Sequence, residues 1–324
     1  MSYKNIYILG VGGSGMSSIA KYLKQKGDNV IGYDQRKSYV TNLLNQDGIK
    51  VVHTLDEITY NPESLYIYSS AIPIESDRFE DFYDKENVLS RPEYLKNLSE
   101  DHKIIGITGT HGKTSTTALL SHIFHFNNVN VSYLYGGITT FNGIGGHYGD
   151  PDQPLILETD EAFNTFEKIK ISDLLVLNVD SDHLDYFKNL DNYKDAFYKV
   201  MKNVTDNLVI NNDDLNIKSM KNLKNPISYG KDTSADFKVQ SPGNFKYENN
   251  KYEIKSDIIG DHFKSNMLGA VILALLNGIE IEDSLNAIES FAGVKRRIEL
   301  IGISKGVLIY DDYGHHPTEM EATI

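Results

Sequence analysis

The glycine-rich stretch at residues 106–117 constrains this chain more than any other feature, because its pattern fits one supersecondary unit. It follows an apolar run that predicts a strand, and it opens into an apolar segment that predicts a helix. In such a unit backbone N–H groups face phosphate, Lys113 reaches the outer phosphates of a nucleotide, and the Thr114 hydroxyl can hold Mg²⁺. The spacing from Gly109 to Gly112 makes this a compact G-x-x-G-K-T variant of the triphosphate loop. The alternative is a glycine turn before an ordinary helix.

A second glycine-rich loop lies near the N-terminus. A predicted strand at residues 5–9 leads into Gly-Val-Gly-Gly-Ser-Gly at residues 10–15, a periodic helix follows, and the next strand ends at Asp34. These features match the dinucleotide-binding fingerprint. Because the loop recognises a pyrophosphate at a helix N-terminus, it fits any diphosphate and is weak evidence for NAD by itself. The function of the chain must use both loops.

Composition narrows the class of protein. The chain has 324 residues, of which 40% are hydrophobic and 24% charged, and this predicts a soluble globular protein of two or three domains. No apolar run of about 18 residues and no signal peptide are evident, so we expect a cytoplasmic protein without a membrane partner. The absence of cysteine excludes disulfides, thiol catalysis and thiolate metal sites. A net charge of −13 argues against nonspecific nucleic-acid binding.

Alternating strand and helix patterns predict an α/β fold in three parts. Residues 1–98 read as a small, Rossmann-like open sheet with ligand loops at the carboxyl ends of its strands. Residues 99–297, after a polar linker, read as a central α/β domain of the P-loop type. Residues 298–324 begin a new pattern that is too short to bury a core, so we interpret them as the start of a third, incomplete α/β domain. The alternative is a short appendage packed on the second domain.

Acidic side chains follow two predicted strands of the central domain. Glu158 and Glu161 come just after one strand, and Asp180, Asp182 and His183 come after the next. An acid beside a Lys-Thr loop commonly serves Mg²⁺, which takes few protein oxygens together with water and phosphate. A solvated acidic turn explains the first group equally well, and a lone histidine is more often structural.

Basic residues follow the last predicted helix of the central domain. Arg297 closes a Lys-Arg-Arg run that either caps the helix C-terminus or directs an arginine at a transferring phosphoryl group. His315 and His316 follow two aspartates, but adjacent side chains diverge, so we do not expect them to ligate one ion together.

Taken together, these motifs resemble the Mur ligase family, which builds the peptide of peptidoglycan, in order along essentially the whole chain. The resemblance assigns the UDP-diphosphate site to Gly12, Gly13, Ser14, Gly15, Met16, Ser17, Asp34, Ser69, Ser70 and Ala71. It assigns the ATP site to Gly109, Thr110, His111, Gly112, Lys113, Thr114, Ser115, His262, Asn266, Arg297 and Asp312. It assigns magnesium to Thr114, Glu158 and His183, catalysis to Lys113, Glu158, His183 and Arg297, and the amino-acid site to His315 and His316.

The resemblance implies an ATP- and Mg²⁺-dependent ligase that adds L-alanine to UDP-N-acetylmuramate through an acyl phosphate. Three alternatives stay open: a ligase that reattaches recycled tripeptide, a truncated paralogue that binds nucleotides without ligating, and a dehydrogenase. The last leaves the Lys-Thr loop without a role. The oligomeric state is not predicted.

Three departures from the family pattern, and one position that distinguishes its branches, bear on this expectation. Phe263 stands where an asparagine is usual, which affects the adenine contacts, and Gly314 replaces an alanine. Phe197 stands where other branches have a carbamylated lysine, which favours the alanine-adding and tripeptide-recycling branches. The third domain, nearly absent, would need roughly 100 further residues. We therefore expect weak activity or none from this chain.

Overall fold

The computed structural model of the chain describes residues 3–182, 184–314 and 320–321. Its first sheet has five parallel strands in the order β3-β2-β1-β4-β5. Helices connect these strands, and the strand order reverses between β1 and β4, where ligands of open α/β sheets bind. The elements are β1 (Asn5–Leu9), α1 (Ser14–Lys26), β2 (Val30–Tyr33), α2 (Tyr39–Gln46), β3 (Lys50–Val52), β4 (Ser64–Tyr68), β5 (Val88–Ser90) and α3 (Arg91–Asp101).

Local signals fix the ends of the helices in this first unit. Helix α1 ends at Gly27, which has a φ of 99° and donates its N–H to Lys24 O at 3.1 Å. Glycine adopts this left-handed conformation without steric cost. Helix α3 begins with a capping box between Ser90 and Glu93 and has Pro92 in its first turn.

The second sheet has ten strands in the order β15-β14-β13-β12-β11-β10-β6-β9-β7-β8, parallel from β13 to β7 and antiparallel at both ends. The strands are β6 (Ile104–Thr108), β7 (Ser132–Thr139), β8 (Gly143–His147), β9 (Leu155–Glu158), β10 (Asp173–Val176), β11 (Asn207–Asn211), β12 (Ile227–Gly230), β13 (Phe237–Ser241), β14 (Asn244–Tyr247) and β15 (Asn250–Glu253). The helices are α4 (Lys113–Phe126), α5 (Leu184–Phe187), α6 (Leu190–Asn203), α7 (Leu215–Ser219), α8 (Asp261–Leu276) and α9 (Ile281–Glu289).

Helices cover both faces of the large sheet. Helices α4, α8 and α9 share one apolar core with Ile105 and Ile107 of β6. Helix α6 packs on the opposite face, in a core that includes Ile104 of the same strand and continues into the first unit. Strand β6 is therefore buried on both faces, as is usual for a central parallel strand, and it delivers the triphosphate loop from the middle of the sheet.

Helix α1 joins the two sheets by packing on the β7–β8 hairpin. A Cβ on Gly146 of β8 would collide with the backbone carbonyl of Ser18 in α1, so glycine is required at this close approach. The buried ammonium of Lys21 donates to the carbonyl oxygens of Asn142 and Ile144 in the same hairpin. Burial lowers the pKa of Lys21, and the charge of Asp47 opposes this shift.

An antiparallel hairpin of β16 (Glu299–Ser304) and β17 (Val307–Asp311) forms a separate two-stranded sheet. Several of its apolar side chains face solvent, among them Ile303 at 67% and Val307 at 64% exposure. This hairpin matches the two strands expected after residue 298. Most of the helical start expected after them, residues 318–324, lies outside the described residues.

The predicted α/β fold class is confirmed, and most predicted elements are found within a few residues. The polar stretch at residues 99–102 is not an irregular linker, because α3 continues to Asp101. The sequence prediction also lacked α2, α5, α7, β5 and β8. Within the described part of the chain, no helix is long and apolar enough to cross a membrane.

Candidate active site

The triphosphate loop at residues 109–113 is held against the end of β10. The N–H of Thr110 donates to Asn178 O at 3.1 Å, and the N–H of His111 donates to the Asn178 side chain at 2.8 Å. Gly109 and Gly112 have φ values of 145° and 86°, which a residue with a side chain adopts only under strain. The loop conformation is thus fixed by glycine on one side and by Asn178 on the other.

Lys113 is the first residue of α4, and its ammonium folds back over the loop. Its Nζ donates to Gly109 O at 2.6 Å and to Thr110 O at 3.0 Å, and lies 2.9 Å from Glu161 Oε2. Burial disfavours the charged ammonium, but the carboxylates of Glu161 and Asp160 outweigh that effect and raise the pKa of Lys113. The side chain thus carries its positive charge at neutral pH.

Thr114 and Glu158 form the pair of oxygen donors expected for magnesium. The Thr114 hydroxyl donates to Glu158 Oε1 at 2.7 Å, and the N–H of Gly136 donates to Glu158 Oε2 at 2.6 Å. A hydroxyl and a carboxylate suit Mg²⁺, which prefers hard oxygen ligands. His183, the third expected ligand, lies outside the described residues. Within the described ranges, no group of three His, Cys, Asp or Glu side chains forms a metal site.

A cavity of about 670 Å³ opens over the loop and brings most of the predicted ATP residues together. Its walls come from the loop itself, from the ends of β10 and β11, from α8 and from the start of the C-terminal hairpin. The predicted residues that line it are Thr110, His111, Gly112, Lys113, Thr114, Ser115, Glu158, His262, Asn266, Arg297 and Asp312.

Helix α8 closes one side of this cavity. Asn266 is buried, and a Cβ on Gly112 would collide with its amide, so the helix and the loop are in direct contact. His262 and Phe263 also line the cavity, with ring centroids 4.5 Å apart. Phe263 thus presents an aromatic surface where an asparagine was expected, and it packs partly against the core behind.

The basic run before the C-terminal hairpin is not a helix cap, because α9 ends at Glu289, several residues earlier. Arg297 lines the cavity instead, with its guanidinium 5.5 Å from the ring centroid of Tyr313. Lys295 points the other way and reaches the Tyr39 hydroxyl in α2 at 3.2 Å. Of the three basic residues, Arg297 has the position expected for a phosphate ligand.

The first glycine loop is tied to the end of β2 by Asp34. The N–H of Gly12 donates to Asp34 Oδ2 at 2.9 Å, and a Cβ on Gly12 would stand 2.7 Å from that oxygen. Ser69, at the end of β4, donates its N–H to Leu9 O at 3.0 Å, and its hydroxyl accepts from the N–H of Ala71 at 3.3 Å. The predicted diphosphate residues therefore gather at the carboxyl ends of β1, β2 and β4.

Two of the predicted diphosphate residues face inward. The side chains of Met16 and Ser17 are buried, and their N–H groups both donate to Gly13 O. The N–H groups of Ser14 and Gly15, the two residues directly before them, donate to no other group in the part of the chain that the structure describes. They are the helix-terminal donors that an anion would meet.

The two loops meet through Gly136 and Arg91. A Cβ on Gly136, whose N–H binds Glu158, would stand 3.1 Å from Ser14 Oγ in the first loop. The Arg91 guanidinium lies against Gly15 and is 3.8 Å from Asp160, which follows β9. The glycine loop of the first sheet and the acidic strand end of the second thus form one continuous surface.

Glu161 and Tyr193 also belong to this site, although the sequence offered Glu161 only as one of several acids at a strand end and did not single out Tyr193. Glu161 is fully buried, and burial raises the pKa of its carboxyl while the Lys113 ammonium opposes the shift. The Tyr193 hydroxyl donates to Glu161 Oε1 at 3.2 Å and lies 3.0 Å from the hydroxyl of Thr110. The only sequence signal was the position of Glu161, three residues after Glu158 at a strand end.

Two profiles of one protein family match this chain. Residues 107–274 match the profile of the Mur ligase middle domain, and residues 5–103 match that of the Mur ligase family, catalytic domain. The chain belongs to the Mur ligase family. The resemblance inferred from the motifs is thereby confirmed.

Members of the Mur ligase family are similar over almost the whole chain. The UDP-N-acetylmuramate–L-alanine ligase of Caldicellulosiruptor bescii is 36% identical over 338 residues, which cover 98% of this chain and 73% of that protein. The protein of the same name from Dictyoglomus turgidum is 33% identical over 342 residues, 100% of this chain and 73% of its own length.

Solved Mur ligase structures have the same fold. The UDP-N-acetylmuramate–alanine ligase of Thermotoga maritima superposes with a TM-score of 0.84 at 24% identity, over 98% of this chain and 76% of its own. The UDP-N-acetylmuramate:L-alanyl-γ-D-glutamyl-meso-diaminopimelate ligase of Neisseria meningitides gives 0.76 at 22% identity, over 91% of this chain and 100% of its own. At these identities the comparison establishes the fold alone.

Proposed function

We propose that this chain carries the nucleotide sites of a ligase that adds L-alanine to UDP-N-acetylmuramate with hydrolysis of ATP to ADP and phosphate. One observation carries the proposal. Glu158 binds Thr114 of the triphosphate loop and Gly136, and Gly136 lies against Ser14 of the diphosphate loop. A ligand on each loop would therefore present its reactive end to the same surface. The names of the most similar relatives supply the substrates.

The chemistry requires activation of a carboxylate. The lactyl carboxylate does not react with an amine at neutral pH, so an oxygen of the carboxylate first attacks the γ-phosphorus of ATP, and ADP leaves. The acyl phosphate then accepts the amine of L-alanine, and the tetrahedral intermediate collapses to amide and inorganic phosphate. Two anions must approach within about 3–3.5 Å in the first step. Charge neutralisation is therefore the main demand on the protein.

Named side chains meet this demand. Lys113 would contact the outer phosphates, and Arg297, on the cavity wall, would stabilise the charge on the transferring group. Thr114 and Glu158, together with His183, would hold Mg²⁺, which supplies positive charge and orients the phosphates when bound. Asn266 and His262 would contact the nucleoside end of ATP, beside the aromatic wall of Phe263.

The first loop would hold the UDP-sugar. The free N–H groups of Ser14 and Gly15 would receive the diphosphate at the N-terminus of α1, which has no acidic residue in its first turn. Asp34 and the segment at residues 69–71 would line the rest of that ligand. We propose the division of the chain at residues 1–98, 99–297 and 298–324 as separate functional units, and a cytoplasmic location where nucleotide substrates are available.

The amino-acid site is proposed at His315 and His316, which lie outside the described residues. The family relatives are longer than this chain, which spans 73% of the two ligases compared above. We propose that the described residues carry both nucleotide sites.

A second candidate is ligation of recycled tripeptide, the alternative that the motif resemblance leaves open. Phe197 is compatible with both branches, since it is fully buried between Phe166 and Tyr193, where a charged lysine carbamate would lack a polar environment.

Phosphate release from ATP tests the proposal. It would be measured with UDP-N-acetylmuramate alone, with added L-alanine and with added tripeptide, alongside calorimetric titrations of ATP, UDP-N-acetylmuramate and NAD. Alanine-dependent release supports the alanine ligase, and tripeptide-dependent release supports the recycling ligase. Binding of both nucleotides without release supports a chain that binds without ligating. Binding of NAD instead would overturn the proposal.

A further inference from the structure

Glu161 is the most deeply buried acid beside the triphosphate loop. Its side chain is 0% exposed, whereas that of Asp160 is 34% exposed and pairs loosely with Arg91. Parallel pairing of β9 with β6 places Ile107 opposite Glu158, and the chain then turns so that Glu161 comes under the loop that follows β6. A charge at such a position requires a partner close by.

That partner is the ammonium of Lys113, whose donors are all engaged in this structure. Nζ has three protons, and it binds Gly109 O, Thr110 O and Glu161. The two carbonyls belong to the loop itself, so the amine occupies the concave side of the loop. An incoming phosphate must therefore take the place of at least one of these three acceptors.

The Glu161 carboxylate is also held by a hydrogen bond from the buried side chain of Tyr193. The Tyr193 hydroxyl donates to its Oε1 at 3.2 Å, and the same hydroxyl lies 3.0 Å from Thr110 Oγ1. Thr110 Oγ1 in turn accepts the N–H of Asp180 at 2.8 Å. Tyr193 is fully buried and packs between Phe187 and Phe197. The carboxylate therefore has little freedom to follow the amine if the amine moves.

We propose that Glu161 is a positioning residue that acts through Lys113. Its carboxylate holds the Lys113 ammonium in place over the loop. When nucleotide binds, phosphate oxygens replace the two loop carbonyls as acceptors, and the hydrogen bond to Glu161 remains. A lysine stem has four rotatable carbons, and without the anchor its charge would be spread over several rotamers. This inference rests on the proposed ATP site and adds to it a residue that does not touch ATP.

The test compares Glu161→Gln with the wild-type chain by calorimetry in the presence of Mg²⁺. The ligands are ATP, ADP, adenosine and UDP-N-acetylmuramate. The variant is expected to bind ATP about tenfold more weakly, as for loss of one charge-assisted contact, and to bind adenosine and UDP-N-acetylmuramate as before. Glu161→Asp restores the charge and is expected to recover part of the ATP affinity.

Glu167→Gln is the matched control. Glu167 lies one short segment later and pairs with Lys199 at 3.8 Å, away from the loop and its cavity. This variant also loses one glutamate charge from the same region, and it is expected to bind all four ligands like the wild type.

A double-mutant cycle with Lys113→Met separates positioning from a structural role. If Glu161 acts through the amine, Glu161→Gln causes no further loss of ATP affinity once the amine is gone. The double variant also removes both buried charges together, so it remains measurable if Glu161→Gln alone unfolds. An equal loss in both backgrounds overturns the proposal.

The remaining outcomes are also decisive. Unchanged or tighter ATP binding by Glu161→Gln overturns the proposal, since it would mean that the carboxylate only repels phosphate. A parallel loss of ATP affinity, UDP-sugar affinity and melting temperature would assign Glu161 a structural role. A wild-type chain that binds no ATP removes the proposed function and this inference together, whereas a normal wild type with an unaffected variant removes the inference alone.

Discussion

The Thr114 hydroxyl and the Glu158 carboxylate are in direct contact, at 2.7 Å, across the gap between the triphosphate loop and strand β9. The other oxygen of Glu158 is held by Gly136, so the carboxylate has one fixed orientation. Mg²⁺ held by these two side chains would be bound by helix α4 and strand β9 together. The proposed positions of the metal and of the UDP-sugar would be coupled, because Gly136 also borders the first loop.

Removal of the Thr114 hydroxyl tests the metal site. Thr114→Val keeps the shape of the side chain, and we expect it to weaken ATP binding about tenfold in Mg²⁺ and to leave ATP binding without Mg²⁺ unchanged. Calorimetric titration under both conditions measures the difference. Thr117→Val is the control, because the Thr117 hydroxyl bonds back to Lys113 O inside α4. An equal loss with and without Mg²⁺ would argue against a metal role.

Loss of the loop lysine should separate ATP chemistry from UDP-sugar binding. We expect Lys113→Ala to abolish ATP-dependent turnover and to retain UDP-N-acetylmuramate binding. It should also lower the free energy of unfolding by about 3 kcal/mol or more, because Glu161 is left buried without its counter-charge. Phosphate release, calorimetry and chemical denaturation measure the three effects. Turnover comparable to wild type would refute the assigned role of Lys113.

The proposed diphosphate site can be tested at Gly12, where an added side chain would meet Asp34. Gly12→Ala would place a methyl group 2.7 Å from Asp34 Oδ2 and disturb the bond between Gly12 and that carboxylate. We expect at least a tenfold loss of UDP-sugar affinity, about the value of one charge-assisted hydrogen bond, with ATP affinity unchanged. Gly302→Ala, with no atom within 4 Å of the added methyl group, is the control. Unaltered UDP-sugar binding would place that ligand elsewhere.

Stability should fall on mild acidification. Burial lowers the pKa of His122, so the folded chain keeps this ring neutral after the unfolded chain has begun to take up a proton near pH 6.5. The unfolded state then binds more protons, and the free energy of unfolding decreases as the pH falls through about 6.5 toward the native pKa. Melting temperatures between pH 7.5 and 5.5 measure this decrease.

His122→Gln should flatten that pH dependence by removing one contribution. His147, whose pKa burial also lowers, supplies a second contribution of the same sign and should remain in the variant. An identical pH slope in variant and wild type would exclude His122 as a source.

The parts of the fold that the sequence predicted are those with strong local signals. Buried strands such as β6 are short apolar runs, and both ligand loops are marked by glycine spacing. Strand β8 was missed because Gly-Ile-Gly-Gly-His carries no alternation of apolar and polar residues. Its strand conformation comes from antiparallel pairing with β7, and its glycines allow the close approach of α1, neither of which a local pattern records. Helix α2 was missed because its capping box uses Thr41 in place of an acid or amide.

The residues of the candidate site likewise divide into those that a local sequence signal identifies and those that only the folded chain identifies. Lys113, Thr114 and Glu158 were predicted because each stands in a motif or at a strand end, and the cavity brings them together with Asn266 and Arg297. Glu161 could not be distinguished from Asp160 by sequence, since both are acids after β9. Only the turn that follows the strand decides which carboxylate comes under the loop and which faces Arg91.

The close approach of α1 to the β7–β8 hairpin has a consequence for substrate choice. Because Gly146 and Ser18 meet backbone to backbone, with Lys21 anchored beside them, α1 has no slack to slide along the hairpin. The N-terminus of that helix carries one ligand loop, and the sheet beneath it carries the other. The contact between α1 and the hairpin would therefore fix the distance between a diphosphate on the first loop and a triphosphate on the second. We therefore expect a sugar nucleotide of a different length to place its reactive end at a shifted position relative to the triphosphate.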